Sequence, residues 1–568
     1  MIRSVLFLAC AALATAAAAR SKAAASASAF NQATYDSFAD IPVTTPKGFK
    51  LESVFLFGRH GNRAPDPLVA TVCPNRAVQS RLYKSQGCAP GAMTVAGLQS
   101  IWDLGRYTHD LYVKTGYVPS AYNRAYVNVR AAASDRTLIS ASAWGQTAFP
   151  SAPAGAPAVS PSIPVATFSV PPEQDNFAEV RKARCAARLE EDLHEYDADV
   201  APALLKQYRP LINKISAACG FDITTTPDVT NGEFSVLQAV KDVADALTGD
   251  FLEGFPLMEG LTAQDRDNFL SFAELMFHKR HYGGAAQPAY LAGAAPNRVV
   301  KLFDRRVSWN ANETARELDL ESHHAALAAA DADPPSVVPV RAPRRVYAFH
   351  CHREILYGLV KFLGLRVDVT RPNLPRGLVH PGSGIFFELW RDPAAAHAAQ
   401  LANAEAPALD PNRKNKLRYA LSPVDEGYYV RVVVWVPCWK GDGLLGNATA
   451  EAANGTPCPG RVRVLPGCGG KEFCRYDEFK RLLADGFNAV GGDFRDQCPM
   501  PVPEAVAMVA ADTARKARSG RRRGGKRGGQ RGAVSAKLAL LESPTPVYAV
   551  GSHHDDEDDE DSDSEAAL

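Results

Sequence analysis

The sequence predicts an α/β protein with a mainly helical segment inserted into its core. Three observations carry this prediction. An apolar run of strand character, Val54-Phe55-Leu56-Phe57, ends in Gly58 and is followed at once by Arg59-His60-Gly61-Asn62-Arg63-Ala64-Pro65. A second run, Arg345-Val346-Tyr347-Ala348-Phe349, delivers His350-Cys351-His352-Arg353-Glu354 to a helical pattern that stops at Gly364. Between the two, residues 175 to about 332 carry mostly helical patterns. Short apolar runs closed by glycine and proline read as buried strands and turns. In open α/β sheets, ligands bind at the carboxyl ends of the strands.

The turn after the first strand sets two guanidinium groups, Arg59 and Arg63, around the imidazole of His60. Such a cluster cannot be buried without an anion. Phosphate suits it, because planar arginine forks match its oxygens bidentately.

Composition narrows the rest. The chain has 568 residues, 46% of them hydrophobic, enough for a real core. The net charge of +1 hides two opposed tails, basic over 515–531 and acidic over 555–565. The body is close to balanced, which argues against a nucleic-acid-binding core. Met1-Ile2-Arg3 followed by an apolar, alanine-rich run to Ala18 reads as a signal peptide over 1–19. No later stretch approaches the ~20 apolar residues of a membrane span. Ten cysteines remain after Cys10 leaves with the signal, an even number that suggests disulfides in a secreted chain. Cys468 and Cys474 are close enough to close a small loop, and Cys73 and Cys88 are expected to secure the irregular stretch after Pro65. Sequons at Asn312, Asn447 and Asn454 fit the same compartment.

Taken in order, Thr94 is a plausible N-cap for a helix in which Leu98, Ile101, Leu104 and Tyr107 recur at helical spacing. Residues 125–130 alternate like a strand, and Ser134-Asp135-Arg136-Thr137 opens a helix closing near Phe149-Pro150. An arginine at such a junction can hold an oxyanion together with the helix N-terminus. Helices are expected over 177–196, 232–247, 261–278 and 313–330. His278, His281, His323 and His324 read as solvated helix residues, with no HExxH pattern to suggest a metal. Residues 382–391 are strand-like, 428–436 form a strongly apolar strand that Arg431 breaks, and a closing helix follows Cys474.

The segment Arg59-His60-Gly61-Asn62-Arg63-Ala64-Pro65 resembles the Arg-His-Gly-x-Arg-x-Pro signature of the histidine acid phosphatases, branch 2 of the histidine phosphatase superfamily. Met93-Thr94-Val95-Ala96-Gly97 is similar to that family's Leu-Thr-x-x-Gly helix start. Ser134 to Pro150 is similar to its Asp-Arg-Thr-Leu-x-Ser-Ala…Phe-Pro helix, and Phe387-Glu388-Leu389-Trp390 to its Phe-Glu-Leu-Trp strand. The second family motif is His-Asp. Counting back from Gly364 puts His352, not His350, on the family histidine. The aspartate position then holds Arg353, and His352-Arg353-Glu354 resembles the His-Ala-Glu of the multiple inositol polyphosphate phosphatases. The first motif looks more like the general acid phosphatases, so the two motifs point to different subgroups.

The resemblance implies a three-layer α/β core with a central mixed sheet flanked by helices. The core spans 46–172 and 336–505, a mainly helical cap is inserted over 173–335, and a disordered tail occupies 506–568. It implies His60 as nucleophile forming a phosphohistidine, and Glu354 as proton donor. Arg59, Arg63, Arg136 and His352 become the phosphate ligands, with no metal or cofactor. The implied partner is a small-molecule phosphate monoester, in the secretory pathway, secreted or vacuolar/lysosomal, with no nucleic acid. Three functions follow: an acid phosphatase of broad monoester range, an inositol-phosphate or phytate phosphatase, and a catalytically silent binder of phosphate esters.

Overall fold

The computed structural model describes residues 41–150, 164–224, 236–327, 343–365, 380–404, 425–437 and 460–498. The expected signal peptide, the charged tail, the sequons at Asn447 and Asn454, and Cys438 and Cys458 lie outside the described residues.

Nine strands form one mixed sheet among the described residues. They are β1 (Ile41–Pro42), β2 (Lys50–Arg59), β3 (Val127–Ala131), β4 (Thr167–Phe168), β5 (Val346–Cys351), β6 (Gly384–Arg391), β7 (Tyr428–Trp435), β8 (Arg461–Arg463) and β9 (Cys474–Arg475). The order is β1-β8-β7-β6-β2-β5-β3-β4, with β9 beside β7. β2, β5, β3 and β4 run parallel, and β6 turns the rest of the sheet antiparallel. β2 therefore lies at the centre, with Val54, Phe55, Leu56 and Phe57 all fully buried.

A strand buried on both faces divides its side chains by period two. Phe55 and Phe57 enter one core with Tyr347, Phe349 and Phe387. Val54 and Leu56 enter another with Val346, Ala348 and Phe386. The parallel register pairs Phe55 with Tyr347 and Phe57 with Phe349. It stacks Phe55 on both Tyr347 and Phe349 at 5.1 Å. Each such ring contributes about 1.5–3 kcal/mol by leaving water.

Helices cover both faces, as expected of a three-layer core. On one face lie α1 (Val95–Thr108) and α2 (Asp135–Ala148), through Ile101, Leu104, Ala141 and Trp144. Thr94 caps α1, accepting from the Gly97 amide at 3.1 Å. The chain then passes through α3 (Ala186–Asp199), α4 (Val236–Leu252), α5 (Ala263–Tyr282) and α6 (Gln287–Leu291). The second face is covered by α7 (Ala295–Leu327), α8 (Arg353–Phe362) and α9 (Tyr476–Ala489). A third cluster joins α4 and α5 through Val240, Val243, Phe269 and Phe272 to Val69 and Val72, which follow the first motif. The Cys73–Cys219 disulfide secures it.

Several local expectations are corrected. Residues 177–185 are turns, not helix. The Asp175 carboxylate takes the Phe177 and Ala178 amides at 3.0 and 2.8 Å, and Cys185 is bound to Cys498, so the backbone is held in another shape. The long helix begins at Ala295 rather than 313, because Val299, Val300, Phe303 and Val307 supply a buried face upstream. Cys88 is a free thiol, since Cys73 pairs elsewhere, while Cys468–Cys474 closes the expected small loop. His278 and His281 are buried rather than solvated, packed on Phe277 and Tyr357. Arg431 does not break β7. It sits directly across the register from Glu388 and meets that carboxylate at 2.6 Å, stacked over Trp390.

Removing Glu388 leaves a buried guanidinium without its nearest carboxylate. Glu388→Ala is therefore expected to cost about 3 kcal/mol, read as a lowered urea midpoint. Glu388→Gln, which keeps an acceptor, loses less, and an unchanged midpoint in the alanine variant contradicts this role.

Candidate active site

The site begins where β2 ends. Arg59 pairs with Cys351 of β5, so the residues just beyond both strands emerge side by side. The His60 amide donates to the Cys351 carbonyl at 3.1 Å, and the His60 carbonyl accepts from Gly382 at 2.9 Å. The backbone of His60 is thus held by the end of β5 on one side and by the turn leading into β6 on the other. The loop lies tightly over the start of α1: a Cβ on Gly61 would stand 2.3 Å from the Gly97 carbonyl oxygen, and one on Gly97 2.2 Å from that of Asn62. Only glycine on both sides permits this approach.

His60 is buried, and its Nδ1 lies 2.8 Å from the Gly61 carbonyl. A carbonyl only accepts, so Nδ1 carries the hydrogen and Nε2 carries the lone pair. Burial, reinforced by His352, Arg59 and Arg136, holds the His60 pKa well below the usual histidine range. The imidazole therefore stays neutral in mild acid. Burial and Arg353 also bring Arg59 down to about 10, so it remains a cation at neutral pH.

The other expected residues arrive from separate elements. Arg136, the second residue of α2, donates from Nη2 to His352 Nδ1 at 3.3 Å. His352 is the extended N-cap of α8, and its ring centroid lies 5.3 Å from that of His60. His350, two residues earlier, is wholly buried in β5 against Trp144 and Gly58. Arg63 pairs with Asp66 at 2.8 Å and lies 3.9 Å from Asp245 of α4.

A cleft of about 1220 Å³, open solvent at its mouth included, lies over this group. Arg59, His60 and Arg63 line it, with Asp245 and Lys241 from α4, Glu274 and Phe277 from α5, and Arg353 and Tyr357 from α8. Arg136, His352 and Glu354 are not among its lining side chains. Glu354 is buried and meets Arg181 at 3.0 Å. Burial acts to raise its pKa, but Arg181, Arg353 and His352 together outweigh it and hold the carboxyl ionised.

Four partners were not legible in the sequence. Glu179 Oε1 lies 2.8 Å from His352 Nε2. Arg181 holds Glu354. Asp245 takes Arg353 bidentately at 2.8 and 3.1 Å, with the guanidinium stacked 4.3 Å over Phe277. Glu274 accepts from Tyr357. Arg353 is thus neutralised within the protein. Among the described residues, no cluster of metal-ligating side chains is present, and no helix is long and apolar enough to cross a membrane.

The buried histidines have a consequence for stability. Burial displaces His60, His278, His281, His350 and His352 downward, His281 and His350 to about 3. The unfolded chain takes up protons near pH 6.5 and the folded one does not, so stability falls as pH drops below that value. We expect the melting temperature to fall between pH 7 and pH 5, with protons taken up on unfolding at pH 5.5. A flat profile contradicts neutral burial of these rings.

No family model matches the chain. A lysosomal acid phosphatase of Xenopus laevis is 28% identical over 163 residues, which are 28% of this chain and 35% of that protein. The match thus spans about a third of the relative's length. Among solved structures, Hafnia alvei phytase in complex with tartrate is 16% identical, covering 80% of this chain and 100% of its own, with a TM-score of 0.49. Klebsiella sp ASR1 phytase is 18% identical over 82% and 98% of the two chains, with a TM-score of 0.47. The multiple inositol polyphosphate phosphatase of Bifidobacterium longum, in complex with inositol hexasulfate, is 11% identical over 76% and 96%, at 0.36. The resemblance to the histidine acid phosphatases drawn from the motifs is borne out by the sequence likeness to the lysosomal acid phosphatase.

Proposed function

We propose that this protein is a histidine acid phosphatase of the secretory pathway that hydrolyses phosphate monoesters through a phosphohistidine. The observation that carries the reading is the state of His60. Its Nδ1 hydrogen is engaged by the Gly61 carbonyl, its Nε2 is left as the nucleophile, and burial, reinforced by His352, Arg59 and Arg136, keeps it neutral. Nε2 attacks phosphorus in line. The N–P bond forms as the ester P–O bond breaks, and the leaving alkoxide takes a proton. Water then attacks phosphorus, passing a proton to the carboxylate left by the first step, the N–P bond breaks, phosphate departs and His60 recovers its lone pair. Arg59 and Arg63 bind the non-bridging oxygens, with Arg136 and His352 completing the positive cradle.

Glu354 is the proposed proton donor. In the resting site it is ionised and paired with Arg181, so the role requires that pairing to loosen when a phosphate dianion arrives. The dianion favours protonation of a nearby carboxylate. α4 and α5, the part of the expected insert that lines the cleft, serve as a cap over it, while α7 belongs to the layer on the sheet's second face. The likeness to a lysosomal protein supports a lysosomal or secreted setting.

A simple monoester is favoured over a highly phosphorylated inositol. Asp245 already occupies Arg353, and Asp66, Asp242 and Glu274 share the cleft with Arg59, Arg63 and Lys241. These carboxylates repel additional phosphate groups. Inositol phosphates remain the second reading, on the strength of the His-x-Glu spacing.

A brief exposure to an aryl phosphate, quenched in base, is expected to leave an acid-labile phosphoryl label on His60. Its absence, with no turnover, supports a silent binder. Hydrolysis in mild acid is expected to be faster for a simple aryl or alkyl monoester than for phytate, and the reverse ranking selects the second reading.

Glu354→Gln is expected to slow alkyl esters by about a hundredfold or more, with a smaller effect on aryl esters, whose leaving groups need little protonation. Equal loss on both removes Glu354 from the donor role. Arg181→Met frees the carboxyl and is expected to extend alkyl-ester hydrolysis to higher pH. An unmoved alkaline limb would show that Arg181 does not set the state of the donor.

A further inference from the structure

Of the segment 175–185 the mechanism above uses only Arg181, yet the segment contacts both members of the second motif. Its Glu179 is 1% exposed and lies 2.8 Å from His352 Nε2. Two residues on, Arg181 meets Glu354. The backbone is irregular and secured at both ends. Asp175, buried, pairs with Arg130 at 2.9 Å and caps the Phe177 and Ala178 amides, while Cys185 is bonded to Cys498. A buried carboxylate held by this much scaffolding, with its Oε1 on one imidazole nitrogen, has a geometric task.

We propose that Glu179 is a positioning residue that fixes the orientation and tautomer of His352 and supports its conversion to an imidazolium when phosphate binds. The proposal rests on the phosphatase reading given above. Arginine only donates, so the contact from Arg136 makes His352 Nδ1 an acceptor in the resting site. The neutral ring then carries its hydrogen on Nε2, and the ionised carboxylate of Glu179, 2.8 Å from that nitrogen, is the charge that favours it there. When an anionic oxygen draws the Arg136 guanidinium onto itself, Nδ1 loses its donor and faces the same anion. Taking up one proton from solvent at Nδ1 turns a repulsive lone pair into a donor and gives the site another cation.

Glu179 stabilises that cation through its negative charge, held 2.8 Å from Nε2 in a buried setting. Glu354 faces His352 from α8 and favours the cation as well, while Arg136 from α2, His60 beyond β2 and burial itself oppose it. Burial opposes ionisation of Glu179, but His352, with Arg181 at 3.9 Å and Lys182 at 3.3 Å, outweighs it and keeps the carboxyl ionised, while Asp175 faces it with like charge. The arrangement parallels a carboxylate holding a catalytic imidazole, applied here to a phosphate ligand rather than to the nucleophile.

The test compares the full-length protein with Glu179→Gln and Glu179→Asp, using inorganic phosphate as a competitive inhibitor of aryl phosphate hydrolysis. In the unsubstituted protein, inhibition is expected to tighten as pH falls, following proton uptake at His352. Glu179→Gln keeps size and an acceptor but drops the charge. It is expected to weaken phosphate binding about ten- to a hundredfold and to displace the pH limb downward by more than a unit, with the melting temperature little changed. Glu179→Asp is expected to recover part of the loss.

Imidazole nitrogen shifts provide a readout that does not need turnover. His352 should be the Nε2–H tautomer at pH 7 in the unsubstituted protein and a mixture in Glu179→Gln. A lowered melting temperature with an unmoved pH limb and an unchanged tautomer assigns Glu179 a merely structural role and overturns the proposal. If the unsubstituted protein neither turns over nor binds phosphate, the parent reading fails. An unchanged tautomer and pH limb in an active enzyme sinks the Glu179 proposal alone.

Discussion

The parallel pairing of β2 with β5 is the constraint on which the rest depends. Register alone sets Arg59 beside Cys351, and so places His60 within a ring's width of His352, although the two lie on opposite sides of the inserted helices. A slip by one residue would turn over one strand's side chains between the two cores, moving Phe55 and Phe57 away from Tyr347 and Phe349. The aromatic ladder therefore does more than fill space. It makes the correct register the only one that keeps large rings packed, and the polar residues beyond the strand ends inherit that accuracy.

Charge is the second constraint. The site concentrates Arg59, Arg63, Arg136 and Arg353 in a largely desolvated place, which is tolerable only with anions nearby. In the resting state the protein supplies them: Asp66 for Arg63, Asp245 for Arg353, and Glu179 and Glu354 around His352. An incoming phosphate competes with internal carboxylates rather than filling an empty positive pit. On the proposed reading, affinity is a difference between two sets of ion pairs, and carboxylates that do not leave would discriminate against highly phosphorylated ligands.

Much of the core was legible in the sequence. β2, β5, α2 and α8 were marked by period, by glycine stops and by the residues that follow them. His352 could be preferred to His350 by counting back from Gly364 against the family pattern, and that residue does stand beside His60. What was missed has a common cause. Glu179 and Arg181 belong to a segment whose charges suit an ordinary helix, and it is kept from being one by Asp175 and by a bond to Cys498, a partner 313 residues away. Asp245 is one acid among several on α4, and nothing local distinguishes the one that meets Arg353. Arg431 looked like an interruption because its countercharge, Glu388, lies on another strand. In each case the deciding contact is distant in the chain, where a single sequence carries no signal.

The Cys185–Cys498 bridge has an implication for when the site comes into being. The strap that supports His352 and Glu354 is anchored to one of the last described residues, so it cannot be locked down while the ribosome is still releasing the preceding part of the chain. A nascent molecule would hold the nucleophile and its arginines before it holds the second motif in place. On the phosphatase reading, full hydrolytic competence would then follow oxidative maturation, and a molecule made in a reducing cytosol would lack the anchored support of its second motif even if its sheet had formed.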